Sequence, residues 1–220
     1  MEAKFVPYTK EIFSKEKTLE RSKEHSAYMD LRRTVRDFST ESISEEVLEN
    51  IVMAASTSPS GAHKQPWTFC VVTNPEIKSK IRIEAEKEEY ESYNGRMPEE
   101  WLEDLSYLGT DWHKPFLEDA PALIIVFKRS YEIVNGKKRN NYYVSESVGI
   151  ACDFLLEAIH YCGLAALTHT PSPMNFLSKI LNRPENEKPY LLIPIGYLAK
   201  DTKVPDLKRK ESSEVISFYR

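Results

Sequence analysis

Glycine is scarce in this chain, seven residues in 220, and none falls in a Gly-x-Gly-x-x-Gly or Walker-type spacing. The usual backbone cradles for dinucleotides and nucleoside triphosphates are therefore excluded, and any phosphate has to be held by side chains. Cysteine is rarer still. Cys70, Cys152 and Cys162 are odd in number, widely spaced and without a Cys-x-x-Cys pair, which excludes a disulfide framework and a zinc knuckle and fits a reducing compartment. No apolar run approaches the roughly 18 to 20 residues that cross a bilayer, and Met1 to Tyr8 lack the apolar core of a signal peptide. Net positive charge is also missing: 30 Lys plus Arg against 34 Asp plus Glu leave −4, so no overall field attracts nucleic acid or an anionic membrane. The histidines His25, His63, His113, His160 and His169 show no metal-ligand spacing. These absences predict a cytoplasmic protein with no nucleic-acid, membrane or metal partner.

What is present is ordinary globular composition, 41% hydrophobic and 29% charged, enough for one core and one domain. The first thirty residues carry a sparse apolar series (Ile12, Phe13, Leu19, Tyr28, Leu31), which reads as a helical arm that packs on something else. Ser42-Ile43-Ser44-Glu45 starts a helix whose Val47, Leu48, Ile51, Val52 and Ala55 share a face. Trp67 to Val72 and Ala122 to Phe127 read as buried strands, and Asn74-Pro75-Glu76 opens an acidic helix running to about Tyr93. Segment 94 to 120, with a helix restarting at Pro98, is expected to lie mostly at the surface. Tyr142 to Cys162 is the central core helix, ended by Gly163. Leu164 to Thr168 and Tyr190 to Leu198 read as strands either side of a short helix near Phe176 to Leu181. The polar tail, 201 to 220, has too few apolar residues to fold alone.

Several constellations could carry chemistry, and each has an ordinary reading beside it. Arg32, Arg33 and Arg36 offer forked donors suited to a phosphate, or they neutralise acidic neighbours. Lys208-Arg209-Lys210 is a second cationic knot that nothing in the sequence joins to the first. Pro59-Ser60-Gly61-Ala62-His63, ahead of Gln65-Pro66-Trp67, is either a turn exposing backbone amides to a ligand or a plain connection. Thr168-His169-Thr170-Pro171 ends a strand and either lines a cleft or forms a turn. Glu89 and Tyr93, four apart, share a helical face; in so acidic a helix the solvated reading leads. Lys114 joins them only if the region folds back as a lid.

Taken together, Arg32-Arg33-Thr34-Val35-Arg36, then Pro59 to His63 with Pro66-Trp67, then Thr168 to Pro171, closely resemble in order and spacing the flavin-binding signatures of the nitroreductase superfamily. Glu89 with Tyr93, Trp112-His113-Lys114 and Val204-Pro205-Asp206-Leu207-Lys208-Arg209-Lys210 look like its iodotyrosine deiodinase branch. The resemblance covers roughly residues 25 to 210. It implies an α+β fold with a central mixed sheet flanked by helices, in an intertwined homodimer with FMN at each subunit interface. It also implies three parts around the core: the arm 1–30, an active-site lid 89–114 and a C-terminal extension 200–220.

By resemblance, Arg32, Arg33, Arg36 and Arg209 hold the FMN phosphate and ribityl end, assisted by Thr34. Ser60 and Gly61 contact the flavin, as do Thr168 and His169, the latter standing where a hydroxyl residue is often found. Thr170 donates to the flavin N5 and steers single-electron chemistry. The Ala62 amide takes the substrate phenolate, while Glu89, Tyr93 and Lys114 bind its amino-acid end. The implied reaction is reductive dehalogenation of mono- and diiodotyrosine to tyrosine plus iodide, the substrate ring stacked on the flavin. Reducing equivalents are expected from NAD(P)H, directly or through a reductase. Two other readings stand beside it: a general nitroaromatic or quinone reductase, for which Glu89, Tyr93 and Lys114 are incidental, and a non-catalytic flavin- or halotyrosine-binding protein. Animal members carry an N-terminal membrane anchor, so this chain is expected to be a soluble version.

Overall fold

The structure, a computed structural model, describes residues 3–220; the first two residues of the expected arm lie outside the described residues. The chain divides into two compact units, one up to Arg33 and one from Thr34 to Arg220. In the first unit, Ser14 caps α1 (Lys15–Asp30), its hydroxyl accepting from the Lys17 amide at 3.2 Å. No residue of α1 is buried, as its sparse apolar series foretells.

The second unit is organised by β2 (Ala122–Arg129), with β1 (Trp67–Val72) on one side and β6 (Glu187–Gly196) on the other. The short β5 (Ala165–Ala166) completes the order β1-β2-β6-β5. All three pairings are antiparallel, and a lone parallel bridge from Thr34 to Ala166 makes the sheet mixed. The unbroken apolar run of β2 has a simple cause: both faces of the sheet are covered. Ile124 and Val126 face a core built with α2 (Glu45–Ser56) and α6 (Val144–Tyr161), whereas Leu123, Ile125 and Phe127 face a second core. That second core includes Ile81 and Ala85 of α3 (Pro75–Glu91) and Leu177 of a short helix, residues 175–180. Full burial of each of the large side chains among these stabilises by roughly 1.5–3 kcal/mol.

Local signals explain the helix starts. The Ser44 hydroxyl accepts from the Val47 amide at 3.3 Å, and the Asn74 side-chain Oδ1 from the Ile77 amide at 3.1 Å. After α3 the chain passes through a wide turn, Ser92–Arg96, into α4 (Glu99–Ser106), and then reaches α5 (Phe116–Asp119).

Segment 94 to 120 lies mostly at the surface, as expected, and enters the core only near its end, where Lys114, Phe116, Leu117 and Ala120 are buried and α5 fills the space between α3 and the sheet. One expectation needs correction, and one element goes beyond the sequence reading. The strand expected over 164 to 168 is regular only at Ala165–Ala166, since the chain then bends away and returns to β6 in one bridge at His169. A hairpin of β3 (Tyr131–Val134) and β4 (Lys137–Asn140) was not anticipated; its polar second strand is wholly exposed. No helix among the described residues is long and apolar enough to cross a membrane.

Lys78 illustrates how α3 and α5 are joined. Its buried ammonium donates to the carbonyls of Glu118 at 2.8 Å and Ala120 at 2.7 Å, the open end of α5. Lys78→Met keeps the stem and removes both donors. It is expected to cost about 2 kcal/mol, read as a fall in Tm by calorimetry.

Candidate active site

A cleft of about 650 Å³ opens in the second unit where five chain segments meet: Thr34 and Arg36, the end of α3, α4 with its flanks, the approach to α5, and residues 167–170 with Ser172. Glu89 arrives there because it continues the buried stripe Ile81, Ala85, Glu89 along α3. Its burial overturns the solvated reading. Tyr93 follows in the turn after α3, its hydroxyl donating to the Thr110 carbonyl at 3.4 Å.

Lys114 is placed through its backbone. Its amide donates to Glu86 Oε1 at 2.7 Å, and Arg82 holds Glu86 (2.8 Å) and Glu118 (2.7 Å) together. The Lys114 ammonium consequently sits 3.2 Å from Glu89 Oε2, also donating to Thr110 Oγ1 at 3.3 Å and to the Asp111 carbonyl. It lies 5.4 Å from the centre of the Tyr93 ring. Burial raises the Glu89 carboxyl, opposed by Lys114, and burial lowers the Lys114 ammonium, opposed by Glu89. Each charge is thus tolerated only because the other is present.

Residues 167–170 alternate: Leu167 and His169 are buried, Thr168 and Thr170 exposed within the cleft lining. Backbone bonds to Leu192 of 2.8 and 3.0 Å pin His169 to β6. Its ring meets Phe116 edge-on, centroids 5.5 Å apart, and its Nε2 lies 3.9 Å from Glu89 Oε1 without a hydrogen-bond partner. Burial, with the charges of Lys114 and Arg36, pushes the His169 imidazole down to about 3. The half-buried Arg36 guanidinium is lowered by burial against the influence of Tyr93 and Asp37.

Ser60, Gly61 and Ala62 do not line this cleft. Their loop is tied to the start of α6, the Gly61 amide donating to Ser147 Oγ at 3.2 Å. A Cβ on Gly61 would lie 3.2 Å from both the Tyr142 carbonyl oxygen and the Tyr143 ring. Ala62, His63 and Gln65 all adopt positive φ (46°, 55° and 46°), a conformation that costs a non-glycine residue about 1–2 kcal/mol. Arg209, on the exposed tail, is also absent from the lining, and Arg32 and Arg33 belong to the first unit.

Sequence reasoning missed the apolar part of the cleft. Met97, Trp101, Leu105 and Leu108 line it, and the spacing Trp101, Leu105, Leu108 was a visible helical stripe with no core to serve. It also missed the approach of His169 to Glu89, which no spacing rule encodes.

The nitroreductase family pattern matches residues 30–197, and the chain belongs to that family. More particularly, it is similar to the iodotyrosine deiodinase of Haliscomenobacter hydrossis, 64% identical over 216 residues that span 98% of this chain and 97% of that one. Human iodotyrosine deiodinase 1 is 41% identical over 213 residues, covering 96% of this chain and 74% of its own. A crystal structure of oxidized iodotyrosine deiodinase bound to FMN and 3-iodo-L-tyrosine superposes with a TM-score of 0.75 at 31% identity, covering 89% of this chain and 98% of that chain.

Proposed function

We propose that this chain is an FMN-dependent oxidoreductase that reductively removes iodide from mono- and diiodotyrosine. The observation that carries the reading is the buried Glu89–Lys114 pair beside Tyr93 inside the cleft. A general nitroreductase has no use for two opposite charges held at such a desolvation cost. An amino-acid zwitterion does: its ammonium replaces Lys114 against Glu89, and its carboxylate replaces Glu89 against Lys114, with the Tyr93 hydroxyl as a further donor. Exchanging one ion pair for two leaves every buried charge partnered.

The donor chemistry of the cleft fits FMN. A half-buried arginine, Arg36, and the hydroxyls of Thr34, Thr168 and Thr170 share one lining, which suits a phosphate, a ribityl chain and a ring-nitrogen acceptor. When bound, FMN supplies the two electrons that, with one proton, convert iodotyrosine to tyrosine and iodide. Thr170 would offer its hydroxyl to the flavin N5, Ser60 and Gly61 would contact the cofactor, and the Ala62 amide would take the phenolate. A second copy of the chain, in a homodimer, brings that loop to the cleft. Arg209 would add to the phosphate contacts, and Thr168 would sit against the cofactor, whereas the His169 ring is turned toward Glu89 and Phe116. NAD(P)H, directly or through a reductase, supplies the reducing equivalents, in the cytoplasm. Residues 89–114 act as a lid that the ligand's ionic end orders.

The test is the visible spectrum of the purified protein during titration with 3-iodotyrosine, followed by iodide release after dithionite reduction. A yellow protein whose flavin fluorescence is quenched by the ligand, and which then releases iodide, is expected. Tight binding without iodide would instead favour a halotyrosine-binding role, and no quenching at all would end the proposal. Thr170→Ala is expected to keep the yellow colour and slow iodide release by about a hundredfold, the typical effect of removing one donor at a reacting centre; single-turnover iodide release measures it.

A further inference from the structure

Building on that reading, the unpartnered imidazole of His169 points to a further role in amino-acid recognition. Its Nε2 is buried, accepts and donates nothing, and faces Glu89 Oε1 across 3.9 Å. That separation is too long for a hydrogen bond. Glu89 Oε2 is meanwhile held by Lys114 at 3.2 Å, so the carboxylate is drawn toward one neighbour and away from the other.

We propose that His169 is a positioning residue for the substrate's ammonium: as the neutral imidazole protonated on Nε2, it donates to Glu89 Oε1 once the ligand's carboxylate has taken Lys114. The carboxylate has only to shift by under 1 Å to close the gap. The motion relieves a buried donor left without an acceptor, which costs about 1–3 kcal/mol while it lasts. The imidazole stays neutral because burial and the nearby cations Lys114 and Arg36 hold its protonation far below neutrality. With Oε1 fixed by His169, Oε2 is aimed at the ammonium. The antiparallel bridge to Leu192 and the edge contact with Phe116 keep the ring in place for this. His169 therefore contributes to discrimination between halotyrosines and simple halophenols, which share the ring and lack the ammonium.

The experiment measures binding of 3-iodotyrosine and 2-iodophenol to the FMN-loaded protein by flavin fluorescence, in the parent and in His169→Phe, His169→Gln, Glu89→Gln and the Glu89→Gln/His169→Phe double variant. Phenylalanine keeps the packing against Phe116 and removes the donor; glutamine places an amide N–H near the position of Nε2. In His169→Phe the affinity ratio of iodotyrosine to iodophenol is expected to fall roughly tenfold or more, as for a lost hydrogen bond to a charged group, while His169→Gln recovers most of it. Because the two residues act as a unit, the double variant should be no worse than Glu89→Gln alone. Additive losses, an unchanged ratio in His169→Phe, or a glutamine variant no better than phenylalanine would each overturn the role of His169. If Glu89→Gln itself leaves the ratio unchanged, the amino-acid reading of the cleft is what fails, and His169's role with it.

Discussion

Glu89→Gln is expected to weaken 3-iodotyrosine binding by about a hundredfold, with iodide release under subsaturating substrate falling in proportion. The substitution is nearly isosteric, so α3 keeps its stripe of Ile81, Ala85 and position 89. What changes is charge: the ligand's ammonium would be buried against an amide, and truncating one partner of a desolvated ion pair typically costs 2–5 kcal/mol, about 2.7 of which is two decades in affinity. Reduction of a nitroaromatic such as nitrobenzene should change far less, since it brings no ammonium to pair. Parallel losses in both reactions would return the Glu89–Lys114 pair to a purely structural role and favour the general reductase. The empty protein also reads out the change, because Lys114 would then be buried without a carboxylate and the turn before α5 would loosen.

Acidification should destabilise the protein steeply through one imidazole. His169 titrates near 3 in the folded chain against 6.5 when exposed, so the unfolded chain binds a proton that the folded one refuses. The stability this residue contributes is fully present above pH 6.5 and is lost as pH falls toward 3. By roughly pH 4 the loss is on the order of 3 kcal/mol. Glu89 acts in the opposite sense: its carboxyl is raised by burial, so acid relieves part of its cost. Lys114 is lowered from its ordinary range by burial, opposed by Glu89. Glu187, held low by Arg183 and Thr68 despite burial, loses stability in acid alongside His169. The contribution of His169 is isolated by comparing the parent with His169→Gln in urea unfolding at stepped pH. The variant should lose markedly less stability between pH 7 and 4, and parallel curves would contradict the assignment.

How much of this was legible in the sequence depends on whether a residue's role is local. Ser44 and Asn74 announced their helices because a cap is made within three residues. The Ala122 to Phe127 run announced a strand covered on both faces because every side chain in it is apolar. Glu89 was obscured by its surroundings: among Glu84, Glu86, Glu88 and Glu91, one carboxylate on the buried stripe looks like the rest, and only spacing from Ile81 and Ala85 sets it apart. Lys114 depends on Glu86 and Arg82 from another helix, and such pairing across the fold leaves no trace in local pattern; family resemblance supplied it. The hairpin over 131–140 carried a usable signal, Asn135-Gly136 with both residues at positive φ (50° and 74°), which suits a tight two-residue connection. Lys137 to Asn140 contains no apolar alternation to mark its second strand. Likewise, nothing in Thr168-His169-Thr170 says that the middle residue is buried against Phe116 and Glu89 while its neighbours stay exposed.

The left-handed run at Ala62, His63 and Gln65 has a consequence for anyone improving this protein by selection. Variants chosen for heat tolerance alone would be drawn to those positions, where glycine or asparagine relaxes the chain at once. On the proposed role of the Ala62 amide as the phenolate's partner, the same relaxation would free that amide to wander. Robustness and fidelity would then pull in opposite directions at this bend, and a library screened for endurance without a parallel screen for halotyrosine turnover would drift toward sturdy, indifferent proteins.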